Sequence, residues 1–149
     1  MACFQFGDRH KRKTLHGDES EVGDYALHVQ CAWRIIRGDE ILVGKEDLYQ
    51  PEDPRSSPDF NWEEGNLQDA LLRKLFMDGG RQFTVVGTAL RAAGQLDILF
   101  DDELRLEVFP NSSRIGDTEH WRLLVPTKGS DRTIQAPHIV FAGAGLHYE

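Results

Sequence analysis

Tyr25-Ala-Leu-His-Val-Gln-Cys-Ala-Trp-Arg-Ile35 decides the fold class. Every odd position is apolar: Tyr25, Leu27, Val29, Cys31, Trp33 and Ile35. The even positions are Ala26, His28, Gln30, Ala32 and Arg34. A period of two over this length predicts a strand with one face on a core. Arg37-Gly38-Asp39-Glu40 supplies a turn, and Ile41-Leu-Val-Gly44 reads as the returning strand of a hairpin.

Downstream, the pattern changes twice. Residues 45–65 hold Pro51, Pro54 and Pro58, many acids, and the aromatics Tyr49, Phe60 and Trp62. Proline at this density blocks regular structure, so a long loop is expected. A helix follows. Asn66 suits its N-cap and Asp69 its first turn. Leu67, Leu71, Leu72, Leu75 and Phe76 form an apolar stripe, and Asp69 and Arg73 stand four apart. Gly79-Gly80 is expected to stop it, with Gly79 left-handed.

From there the alternation is again of strand type. Phe83–Leu90, Leu96–Phe100, Leu104–Phe109, Trp121–Val125 and Ile139–Ala142 read as strands joined mostly by short turns. Short connections imply antiparallel pairing. The expected fold is α+β: a mostly antiparallel sheet of six to seven strands with one main helix packed on a face. Residues 1–24 show no core pattern and are expected as a mobile N-terminal segment. Residues 25–149 are expected as a single domain.

Composition narrows the function classes. The 149 residues carry a net charge of −8, with 40% hydrophobic and 28% charged residues, an ordinary globular mix. No apolar run approaches the roughly 18 residues that span a bilayer, so no membrane insertion is expected. The opening residues lack a basic n-region followed by an apolar stretch, so the cytoplasm is the expected compartment. Cys3 and Cys31 form no metal-ligand spacing, and reduced thiols are expected. Residues 39–69 contain ten acids against Lys45 and Arg55. Such a body repels phosphate backbones, which argues against sequence-independent nucleic-acid binding. It suits a basic protein partner.

No catalytic or phosphate-binding motif occurs: Gly-x-Ser-x-Gly, HExxH, GxxxxGK[ST] and GxGxxG are all missing. Catalysis is therefore not the expected role. No cofactor and no metal are expected, since His10, His16, His28, His120, His138 and His147 are scattered. Two surfaces stand as candidates. The first is the acidic loop, with Glu52, Asp53, Phe60, Trp62, Glu63 and Glu64 as partner-binding residues. The second is the even-numbered face of the strands. His28, Arg34, Glu107, His120 and Arg122, with Gln30 and Arg105, would bind an anionic small ligand or act as acid and base. Self-association through an unprotected strand edge, giving a homo-oligomeric scaffold, is a third reading.

Ala26–Ile35, Asp47-Leu-Tyr49, Leu106-Glu-Val-Phe-Pro110, Glu119-His-Trp-Arg-Leu123 and His138-Ile-Val-Phe-Ala-Gly-Ala-Gly145 together resemble a family of small uncharacterised bacterial proteins. The pieces span residues 26–145 and imply no particular activity. By analogy, small acidic proteins of this look accompany bacterial toxin systems as immunity proteins. The basic stretch at 9–13 and the length of the acidic loop lie outside the resemblance.

Overall fold

A computed structural model describes residues 1–13, 19–55, 60–113, 118–126, 138–143 and 145–149. In chain order the strands are β1 (Ala2–Phe6), β2 (His10–Lys13), β3 (Glu19–Val22), β4 (Tyr25–Val29), β5 (Ala32–Arg37) and β6 (Glu40–Gly44). A 3-10 turn (Lys45–Tyr49) and helix α1 (Leu67–Phe76) follow. Then come β7 (Val85–Leu90), β8 (Leu96–Phe100), β9 (Leu104–Phe109), β10 (Glu119–Leu124), β11 (His138–Ala142) and β12 (Gly145–Tyr148). The fold is α+β with antiparallel pairing. It has more strands than expected, and they are divided among three sheets instead of one.

The division begins inside the opening stretch. Its alternation holds: Leu27, Val29, Cys31, Trp33 and Ile35 are all buried, and only Tyr25 at the start is exposed. Yet the stretch is two strands. The N–H groups of Gln30 and Cys31 both bond the single carbonyl of His120, at 2.9 and 3.2 Å. Two residues facing one is a β-bulge, which ends local pairing and bends the strand. Up to Val29 the chain pairs with β10; from Ala32 it pairs with β9. The chain accordingly forms two compact units, residues 1–31 with 110–149, and residues 32–109.

The first unit has a sheet ordered β1-β4-β10-β11-β12 and a separate hairpin β2-β3. Its core holds Ala26, Leu27, Val29, Cys31, Trp121, Val140 and Ala142. Trp121 stacks on Phe141 at 6.0 Å. Residues 1–24, expected as a mobile segment, carry β1, β2 and β3. β1 pairs along its whole length with β4, Ala2 opposite Val29 and Phe6 opposite Tyr25. Alternation of small and large apolar residues (Ala2, Phe4, Phe6) is too short a signal to stand out against the charged residues that follow. The basic stretch is likewise engaged, Arg9 with Glu21 and Lys11 with Glu19, both at 3.2 Å. Gly23 is held against β1: a Cβ there would lie 2.5 Å from the Phe6 carbonyl oxygen.

The second unit is a sheet ordered β6-β5-β9-β8-β7. Trp33, Ile35, Val43, Ile98, Leu104, Leu106 and Val108 fill its core. Ala32 and Phe109, where the chain enters and leaves this unit, are direct partners on adjacent strands. Helix α1 packs against the 3-10 turn and β6. Asn66 caps it, with its Oδ1 accepting from the Asp69 N–H at 2.9 Å. The Asp69 carboxylate is taken by Asn66 Nδ2 at 3.0 Å, and not by Arg73. The helix ends with the N–H groups of Met77 and Asp78 both on the Arg73 carbonyl, and the left-handed residue is Gly80, not Gly79.

The apolar stripe of α1 is only half-buried, and Gln68 is the helix's one buried residue. A truncation there removes less contact than one in the sheet. Leu106→Ala should therefore destabilise by roughly 2–5 kcal/mol, while Leu71→Ala should cost about 1–2. Denaturant midpoints of the two variants measure this; equal losses would mean the helix carries as much core as the sheet.

Candidate functional site

The acidic loop is built from its two ends inward. The Leu67 N–H bonds the Gln50 carbonyl at 2.8 Å, which closes the loop where α1 starts. The buried Gln68 amide then bonds the carbonyls of Gly44 and Lys45, each at 3.0 Å, tying helix to 3-10 turn. Helical periodicity gave no reason to single out Gln68, because a polar residue beside the stripe reads as surface. Asn61 and Asn66 shape the far side. Asn61 Oδ1 accepts from the Glu63 N–H at 3.1 Å, and its Nδ2 donates to Glu64 at 3.2 Å. Asn66 Nδ2 donates to the Trp62 carbonyl at 3.0 Å.

Within that frame Trp62 stands 45% exposed and Tyr49 55%. Glu52, Asp53, Glu63 and Glu64 are exposed and Phe60 is half-buried. A hollow of about 570 Å³ lies among Pro51, Glu52, Asp53, Pro54 and Phe60. Arg55 borders it too. Its backbone N–H bonds Asp53 at 2.9 Å and its guanidinium at 3.1 Å, and these two contacts hold the Asp53 carboxyl below its ordinary range.

The residues of the even-numbered face are divided between the two units. His28, His120 and Arg122 belong to the first unit, and Arg34 and Glu107 to the second. The bulge at Gln30 and Cys31 marks where the partner strand changes, which a continuous period of two does not reveal. His120 is buried, 5.9 Å from the Phe141 ring.

Each half has recruited partners that spacing could not reveal. In the second unit, Arg34 and Gly44, Glu107, Asp97 and Ala89 form one row across the sheet. Glu107 and Asp97 are buried and directly opposite, a destabilising placement for like charges. Three arginines offset it. Arg34 Nε bonds Glu107 at 2.6 Å, Arg105 lies 2.9 Å from the same carboxylate, and Arg91 Nε bonds Asp97 at 2.6 Å. Gln95 adds a bond to Asp97 at 3.1 Å. Burial by itself would raise the Asp97 pKa. The bonds from Arg91 and Gln95 and the charges of Arg91 and Arg105 outweigh it and hold the carboxyl below its ordinary range.

In the first unit Arg122 is the hub. It donates to Glu119 at 2.7 and 3.0 Å and to Glu149 at 2.9 Å. Its Nη1 also lies 2.6 Å from His138 Nδ1. Arginine has no acceptor, so His138 accepts there and carries its proton on Nε2. Burial acts to raise the Glu119 pKa, but the Arg122 hydrogen bond and charge, helped by Gln30 and His28, bring it below the ordinary range. Carboxylates displaced downward in this way are poor general bases near neutral pH. Among the described residues, no group of three or more His, Cys, Asp or Glu side chains is placed to hold a metal ion. Among the described residues, no helix is long and apolar enough to cross a membrane.

Compared with family models, curated proteins and solved structures, the chain matches none.

The depressed Asp97 carboxyl stabilises the fold above its unfolded pKa of about 3.9. That stability is lost as pH falls through the lower folded value. Arg91→Gln leaves the buried carboxylate short of its main partner. It should destabilise by about 2–3 kcal/mol, discounted because Arg91 is 58% exposed, and move acid unfolding to higher pH. Circular dichroism followed from pH 7 to 2 checks both; an unmoved acid midpoint would show that Arg91 does not hold Asp97.

Proposed function

We propose that the protein is a non-enzymatic binding protein that engages a basic protein partner through the loop between Gln50 and Leu67, in the manner of an immunity or accessory protein. One observation carries this reading. The described part of the loop is closed at its base and braced by Asn61 and Asn66, yet it leaves Trp62 45% exposed beside the exposed Glu63 and Glu64. A braced loop loses little entropy on binding, so an aromatic held out on it can anchor a partner. The carboxylates of residues 39–69 supply a field that draws in a cationic surface. The hollow beside Glu52 and Phe60 offers an acidic and aromatic seat for a Lys or Arg side chain.

The test separates the two contributions once a partner is captured. Changing Glu52, Asp53, Glu63 and Glu64 to amides should slow association about tenfold or more at low salt and flatten its salt dependence. Trp62→Ala should leave association unchanged and speed dissociation by roughly 30-fold, the equivalent of about 2 kcal/mol. Surface plasmon resonance at two salt concentrations reads both. Association that ignores the amide changes would reduce the loop to a solubility feature.

A second reading rests on the arginine row. Arg34 and Arg91 each anchor one nitrogen on a buried carboxylate and present half-exposed guanidinium ends. That arrangement suits an anionic small ligand.

A further inference from the structure

The two edges of the second unit's sheet are treated differently. At β6, the Gly44 N–H goes to the Asp47 carboxylate at 2.7 Å and its carbonyl to Gln68, so the end of that edge is closed by the turn and helix. At β7 nothing comparable occurs. Among the described residues, no group outside β8 and its flanking turns bonds the backbone of Val85–Leu90. Open edges are commonly blunted by charge, proline or a covering element. Val85, Val86, Thr88 and Leu90 are exposed, and the strand Val-Val-Gly-Thr-Ala-Leu carries neither charge nor proline.

We infer that β7 pairs antiparallel with β7 of a second copy of this chain, about a two-fold axis at Ala89, joining two five-stranded sheets edge to edge. The register follows from hydrogen-bond parity. The Arg91 N–H points inward, to Gln95 of the β7–β8 turn. Alternation then turns Ala89 and Gly87 toward β8 and turns Thr88 and Leu90 outward. The bulge at Val86 lies beyond them and leaves this run regular. With the axis at Ala89, Thr88 meets Leu90 of the second copy, and Leu90 meets its Thr88, which gives four main-chain hydrogen bonds. Ala89 faces its own counterpart in the non-hydrogen-bonded position, where Cα atoms approach to about 4.5 Å and a small side chain is favoured.

Charge selects a second copy as the occupant. The whole chain is at −8, so most faces repel their own kind. Residues 79–96 contain no acid at all among the chain's 25. Their two cations are already neutralised, Arg81 by Asp102 at 3.0 Å and Arg91 by Asp97 at 2.6 Å. In this register Arg91 stands opposite Gly87, so no cation meets a cation. Pairing here brings together an acid-free stretch of each chain, and Val85, Val86 and Leu90 lose exposure.

The experiment uses the full chain carrying Cys3→Ser, so that no other exposed thiol competes. Ala89→Cys should cross-link under mild oxidation to a covalent dimer, because the axial pair lies within disulfide reach. Ala92→Cys, which faces Val86 in this register, should not. Sedimentation velocity of the parent should show a mass rising toward twice that of the chain with concentration. Thr88→Pro removes an outward N–H without touching the β8 ladder and should stay monomeric; Leu90→Lys should do the same if Thr88→Pro fails to fold. The amide variants of the acidic loop should dimerise as the parent does, which keeps this test apart from that of the loop. A parent monomeric at every concentration, or Ala92→Cys cross-linking in place of Ala89→Cys, would overturn the inference.

Discussion

The carbonyl of His120 accepts two consecutive N–H groups, and the architecture turns on that contact. With it, Leu27 and Val29 pack in one sheet while Trp33 and Ile35 pack in another. The burial alternation passes through the bulge unbroken, so the same hydrophobic pattern serves two cores. The polar residues go with their strands, His28 to the first unit and Arg34 to the second.

How much of this was legible follows from which signals are local. Strand periodicity found β5, β8, β9, β10 and β11, and the Asn66 cap and leucine stripe found α1. The bulge was invisible because burial, not pairing, writes the pattern, and burial does not change there. β1 was missed for the opposite reason: its partner β4 lies beyond a charged hairpin, and three alternating apolar residues are a faint signal alone. For the site, the acidic loop and Trp62 could be read directly, since proline density and charge are properties of contiguous sequence. Asp97, Glu119, His138 and Glu149 could not, because each meets its arginine only through strand register or turn geometry.

Register is also where the buried charges act. Asp97 and Glu107 face each other across β8 and β9 with arginines on three sides. A slip of one residue would turn both carboxylates to the opposite face, among Ile98 and Leu106, with no cation in reach. The penalty for a buried unpaired charge is several kcal/mol, far more than the pairs contribute to net stability in the correct register. Their effect is thus to exclude the wrong alignment of β5, β9 and β8. The hydrophobic pattern alone, strong on β9 and weak on β7, would tolerate it more readily.

Ala32 and Phe109 sit side by side, so the second unit begins and ends at one place in its own sheet, and the first unit is interrupted in sequence by it. During synthesis this imposes an order. Residues 32–109 emerge as an uninterrupted run and have every strand of their sheet available before β10 exists. β4 has β1 for a neighbour on one side, but its other edge waits for a partner about 90 residues further along the chain. At ribosomal speed that is roughly 5–20 s with Leu27 and Val29 short of their cover. The inserted unit is thus the early one, and the older end of the chain is the last to be sealed.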